Sequence, residues 1–111
     1  MKSFSEKPKR EHKKLLTDAH KNIIQLKAES NYTTFVLLTG KQKTMAYTMG
    51  LYKAVLPQSF ILVNRSCIIN TNFIKNVNYC DQTLTLSDNS EIQIARRRWN
   101  DVKRNINNQI I

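Results

Sequence analysis

Thr83-Leu84-Thr85-Leu86-Ser87 and Glu91-Ile92-Gln93-Ile94-Ala95, joined by Asp88-Asn89-Ser90, decide the fold class of this chain. Leu84, Leu86, Ile92 and Ile94 alternate with polar residues. A period of two turns one side of each strand toward a core and the other toward water. The Asp-Asn-Ser junction supplies turn chemistry, so the two runs read as a hairpin. Upstream the same logic recurs. Ile23-Ile24-Gln25-Leu26 is a short strand. Thr33 to Thr39 is β-branched and aromatic and stops at the turn signal Gly40-Lys41, with Lys43 to Tyr47 as its returning partner. Phe60 to Asn70 supplies further strand around the polar Val63-Asn64-Arg65-Ser66, and Ile74 to Tyr79 follows. Met49 to Leu56 breaks the pattern: Tyr52, Val55 and Leu56 share a helical face, and Pro57 ends it. Trp99, Val102 and Ile106 again fall at helical spacing. Residues 15–22 fit either one helical turn or a short first strand. The chain therefore reads as mostly β, with one short internal helix and a C-terminal helical segment.

At 111 residues and 13.0 kDa the chain has room for one domain, with enough apolar residues (41%) for a core. The mean hydropathy is -0.48, and no stretch approaches the ~20 apolar residues of a spanning helix. Met1 to Lys7 is basic without an apolar run behind it, so it is no secretory signal. The expectation is a cytoplasmic protein with no membrane partner. Residues 1–14 carry Lys2, Lys7, Lys9, Arg10, Lys13 and Lys14 around Pro8 and read as a basic mobile lead-in, leaving 15–111 as the folded domain. Met1 and this tail read as a complete chain, with no room for a phosphoacceptor receiver domain. Regulation would then come from abundance, from a separate protein, or from a receiver carried on a longer form.

The formal charge is +10, from 18 Lys plus Arg against 8 Asp plus Glu, and residues 28–111 alone hold ten basic and five acidic groups. Such a field favours a polyanion through steering and counterion release. Three polar segments give it a chemistry: Ala28-Glu29-Ser30-Asn31-Tyr32-Thr33, Val63-Asn64-Arg65-Ser66 and Ala95-Arg96-Arg97-Arg98. Each sits where an apolar run breaks off. Arg forks onto guanine, Asn onto adenine, and either holds phosphate. Catalysis finds no footing, with no Ser-His-Asp set, no paired carboxylates on a cleft and no Gly-rich phosphate loop (Gly40 and Gly50 are the only glycines). Two cysteines outside a C-x-x-C pair and two histidines eight residues apart make no metal site, and no cofactor is expected. Cys67, within an apolar run, reads as a buried reduced thiol.

In order, these segments resemble the LytTR family, the DNA-binding output domain of many bacterial response regulators. Leu26 to Thr33 is similar to its strand-and-loop signature leading to Asn-Tyr. Leu56-Pro57 and Phe60 are similar to its L-P-x-x-F helix exit. Leu62 to Asn70 resembles R-V-H-R-S-x-I-V-N, Phe73-Ile74 the pair that follows, and Ile92 to Arg97 I-P-V-S-R-R. The likeness covers residues 22–104. Asn64 stands where His is common, Ala95 where Ser is, and Leu62 where Arg is. The resemblance implies an elongated, mostly β fold whose loops, rather than a recognition helix, enter successive major grooves and touch the minor groove between them. By position Asn31 and Tyr32 would serve the first reading loop, Asn64 and Arg65 the second, and Arg96 and Arg97 the third.

Each residue has a plainer alternative. Arg65 is too costly to bury unpaired, so it faces solvent or a partner. Arg96-Arg97-Arg98, if strand continues through them, puts Arg97 opposite its neighbours. Asn31 could simply shape a turn and Tyr32 fill the core. Trp99 reads as packing for the C-terminal segment, while Lys103 and Arg104 suit phosphates, which carry no sequence information. The candidate DNA-binding set is Asn31, Tyr32, Asn64, Arg65, Arg96, Arg97, Arg98 and Lys103. The expected partner is double-stranded promoter DNA, with a second copy on a repeated half-site and a separate receiver or sensor protein as further candidates. The competing reading is a basic β-rich module binding RNA or a protein. Its mark would be aromatics exposed along the strands, whereas Phe35, Phe60 and Phe73 lie in apolar runs.

Overall fold

A computed structural model describes residues 22–29, 31–46, 49–53 and 56–110, so the basic lead-in and most of 15–22 lie outside the described residues. Among these the strands are β1 (Ile23–Glu29), β2 (Tyr32–Leu37), β3 (Gln42–Met45), β4 (Phe60–Asn64), β5 (Cys67–Asn70), β6 (Ile74–Asn78), β7 (Thr83–Leu86) and β8 (Glu91–Gln93). Two helices join them, α1 (Met49–Lys53) and α2 (Trp99–Ile110). All strand pairs are antiparallel, in a five-stranded sheet ordered β3-β2-β1-β5-β4 and a three-stranded sheet ordered β6-β7-β8. The described chain measures 45 × 26 × 22 Å, and its mostly β architecture with one short internal helix and a C-terminal helix is the one expected.

Both faces of the larger sheet are covered, which is why β1, β4 and β5 read as continuous apolar runs. On one face Ile23, Leu26, Phe35, Phe60 and Ile68 pack with Tyr52 of α1, whose ring meets Phe35 edge-on at 4.8 Å between centroids. On the other, Ile24, Ile61, Val63, Cys67 and Ile69 pack against Leu84, Leu86 and Ile94 beside the smaller sheet, and against Val102 and Ile106 of α2. Two irregularities aim particular side chains. The β1–β2 register shifts between Ile23 and Gln25, so Ile24 and Gln25 both turn toward the smaller sheet. There buried Gln25 donates to Ser90 Oγ at 3.1 Å and accepts from Cys67 Sγ at 3.4 Å. The β4–β5 register shifts between Leu62 and Asn64, which sends Val63 and Asn64 the same way.

Several boundaries differ from the expected ones. Phe60 to Asn70 is a hairpin of two strands with Arg65-Ser66 as its turn. The Asn64 side chain accepts from the Ser66 amide at 2.8 Å and closes that turn. The helix expected over Met49 to Leu56 is described over Met49–Lys53; residues 54 and 55 lie outside the described residues, and the Leu56 amide donates to the Tyr52 carbonyl at 3.0 Å. The return strand after Gly40 is Gln42–Met45. Gly40 itself has φ +92°, a conformation that suits glycine in this hairpin loop. Among the described residues no helix is long and apolar enough to cross a membrane.

Candidate nucleic-acid interface

β1 lies between β2 and β5, and that order gathers the three polar segments. Pairing of Glu29 with Tyr32 closes the β1–β2 turn that carries Asn31. Lys27 pairs with Cys67 and Asn64 with Cys67, so the β4–β5 turn leaves the same end of the sheet. The Ala28 amide, donating to the Ser66 carbonyl at 2.8 Å, ties the two turns together. The third segment arrives from the smaller sheet: the Ala95 amide donates to the Val63 carbonyl at 2.8 Å, which lays Ala95 beside the end of β4. At the usual strand spacing, the row from β2 through β1, β5 and β4 to Ala95 spans about 19 Å.

Arg96–Arg98 is not an extension of β8 but a 3-10 turn. Ala95 is extended (φ -64°, ψ 140°), the Arg98 amide donates to its carbonyl at 2.9 Å, and α2 begins at Trp99. Three residues per turn fan the side chains around the axis. The expected strand alternation, with Arg97 opposite its neighbours, is therefore replaced by a pattern in which Arg96 and Arg97 are exposed and Arg98 is half-buried. Arg65, Arg96, Arg97 and Arg98 line one open groove of about 740 Å³ together with Ala95 and Asp101, so among the described residues its lining holds four arginines and one acidic residue. In such a concave site like charges reinforce one another and draw in an anion.

The remaining candidates are not among the residues that line this groove. Asn31 is exposed in its turn, and Tyr32 is 52% exposed, so Tyr32 does not fill the core. Asn64 is half-buried and its amide is engaged at both ends, accepting from the Ser66 amide and donating to the Gln93 carbonyl, each at 2.8 Å. Lys103 is on α2 with Nζ 5.8 Å from the centre of the Trp99 ring. Trp99 is half-buried against the core, as expected of packing. Two neighbours were not singled out from the sequence. Asp101 lines the groove and pairs with Arg104 at 3.6 Å. Tyr79, 55% exposed in the β6–β7 turn, meets Trp99 edge-on at 5.7 Å. Tyr79 closes the run Ile74 to Tyr79 that reads as strand, but nothing local signals its contact with Trp99 of α2.

Phe35 and Phe60 are buried and Phe73 packs against the core, so these rings offer no stacking platform. Cys67 is a buried free thiol, and desolvation pushes it up to about 12 although the Lys27 charge pulls the other way. It is inert as a nucleophile at neutral pH. Among the described residues no group of three or more His, Cys, Asp or Glu side chains could hold a metal ion.

Known proteins align with this arrangement. The sequence pattern of the LytTr DNA-binding domain matches residues 13–107. In structure the chain is similar to the LytTr DNA-binding domain of a Bacillus cereus protein assigned as a methyl-accepting/DNA response regulator. The TM-score is 0.71 at 20% identity, covering 78% of this chain and 82% of that one. No curated protein matches it in sequence. With the family pattern running through nearly its whole length, the chain belongs to the LytTR family of DNA-binding domains.

Proposed function

We propose that this chain is a sequence-specific transcriptional regulator of a bacterial cytoplasm, which reads double-stranded promoter DNA with three loops. The observation that carries this reading is the convergence of Asn31-Tyr32, Arg65 and Arg96–Arg98 on one end of the larger sheet, with four arginines around one groove. Asn31 and Tyr32 serve one contact. Arg65 and Arg97, both exposed, read base edges, and Arg96 and Arg98 hold phosphates beside them. Lys103, on the flank, adds a phosphate contact. A row of about 19 Å is wider than the ~12 Å major groove, so the outer loops fall on the groove walls or beyond. A second copy on a repeated half-site would double the reading surface, and a separate receiver or sensor protein would supply the signal.

The competing module for RNA would display aromatics along its strands. The burial of Phe35 and Phe60 speaks for duplex DNA, although Tyr32 and Tyr79 are exposed at strand ends. Selection of bound duplexes from a random DNA pool, followed by competition with RNA and single strands at one salt concentration, tests the reading. A recovered sequence motif and preference for its duplex are expected. Equal or tighter binding to RNA would refute it.

A further inference from the structure

We propose that Asn64 is a positioning residue that clasps the Arg65 turn to the arginine turn, so that the two act as one reading unit; this rests on the DNA-reading role given above to Arg65 and Arg97. Two contacts carry it. Asn64 Oδ1 accepts from the Ser66 amide at 2.8 Å and fixes the turn that displays Arg65. Asn64 Nδ2 donates to the Gln93 carbonyl, also at 2.8 Å, on the last strand before Arg96. One planar amide thus spans two segments that are 29 residues apart. Only one orientation of the amide serves both partners, because a flipped group would face N–H with N–H and carbonyl with carbonyl.

The fold aims this side chain. The register shift between Leu62 and Asn64 turns it toward the smaller sheet, away from the alternation a regular strand would impose. The Ala95 amide donating to the Val63 carbonyl is a second tie next to it, so the junction is held at two adjacent residues of β4. Bidentate reading of adenine needs one N–H and one lone pair of an amide. One N–H and one lone pair of the Asn64 amide are held by these backbone partners and one of each remains, so the test must separate the clasp from direct reading by Asn64.

The test combines a DNA-free readout with a binding cycle. In the free protein Asn64→Ala is expected to speed hydrogen exchange at the Ser66 amide, with the thermal transition still cooperative. Binding to the selected duplex should weaken roughly fivefold to tenfold, the scale of one or two hydrogen bonds, and binding to a random duplex less than about twofold. The penalty of Arg97→Ala should shrink in the Asn64→Ala background, because Arg97 is then no longer held in register with Arg65. Asn64→Asp keeps the acceptor and removes the donor, so it should retain slow Ser66 exchange yet lose the coupling. Unchanged Ser66 exchange in Asn64→Ala would overturn the clasp. So would relaxed preference at a single base pair with the Arg65→Ala and Arg97→Ala penalties unaltered, which marks a direct reader. If Arg65→Ala and Arg97→Ala weaken selected and random duplexes alike, the base-reading account itself fails, while the Ser66 exchange still decides the clasp.

Discussion

Arg97→Ala set against Lys103→Ala separates reading from mere attraction. Arg97 is exposed on the 3-10 turn and lines the arginine groove, so its removal leaves the core intact. A bidentate arginine–guanine contact discriminates by ~1–3 kcal/mol, a loss of about fivefold to 150-fold on the selected duplex. On random duplex only the charge is lost. Neutralising one phosphate contributes a factor near the salt concentration raised to the power −0.9, about fivefold at 0.15 M salt. Lys103→Ala should show that smaller factor on both duplexes, and its plot of log affinity against log salt should flatten by about 0.9. Its Nζ also lies 5.8 Å from the Trp99 ring centre, so the variant gives up a cation–π contact of ~0.5–1 kcal/mol and should melt slightly lower. Anisotropy titrations over a salt series, preceded by thermal melts, supply every number. Equal losses by Arg97→Ala on selected and random duplexes would refute the assignment of Arg97 as a base reader.

The thiols and the core give further expectations. In the native protein a thiol reagent should label Cys80, which is exposed, and spare Cys67 until the chain unfolds; rapid titration of both thiols would contradict the burial. Folding raises the Cys67 thiol from 9.0 to about 12, so the native state keeps a proton that the unfolded chain loses. Its stabilising contribution is full below pH 9 and is lost as pH climbs toward 12, at no more than ~1.4 kcal/mol per unit, and Cys67→Ala should flatten this alkaline limb in denaturant titrations. Tyr52→Ala removes a fully buried ring packed on Phe35 and should destabilise by ~3–5 kcal/mol by urea unfolding, whereas Tyr32→Ala should stay within about 0.5 kcal/mol.

The β7–β8 hairpin was legible because its alternation of apolar and polar residues is unbroken and one face meets water. β4 and β5 were harder: Phe60, Ile61, Leu62 and Val63 face alternately onto two cores, which erases the period of two. The 3-10 turn at Arg96 was hidden for another reason. Ile92 and Ile94 carry strand spacing up to it, and its leading residue, Ala95, makes no side-chain cap that would announce a helical start. Of the site, the residue types could be read but not their assembly. Convergence depends on β1 pairing with β5 and on Ala95 reaching Val63, contacts between residues about 40 and 30 positions apart that no local pattern encodes. Asn64 shows the limit most clearly, since an amide beside an arginine has the same letters whether it meets a base or a backbone carbonyl.

Mapping amide shifts on titration with the selected duplex tests the central claim, that three loops at one end of the larger sheet form a single DNA face. The predicted result is perturbation together at Asn31-Tyr32, at Asn64 to Ser66 and at Ala95 to Arg98, with the β2–β3 turn at Leu38 to Lys41, at the opposite end of the same sheet, silent. Shifts centred on Leu38 to Lys41, or confined to one of the three segments, would contradict it.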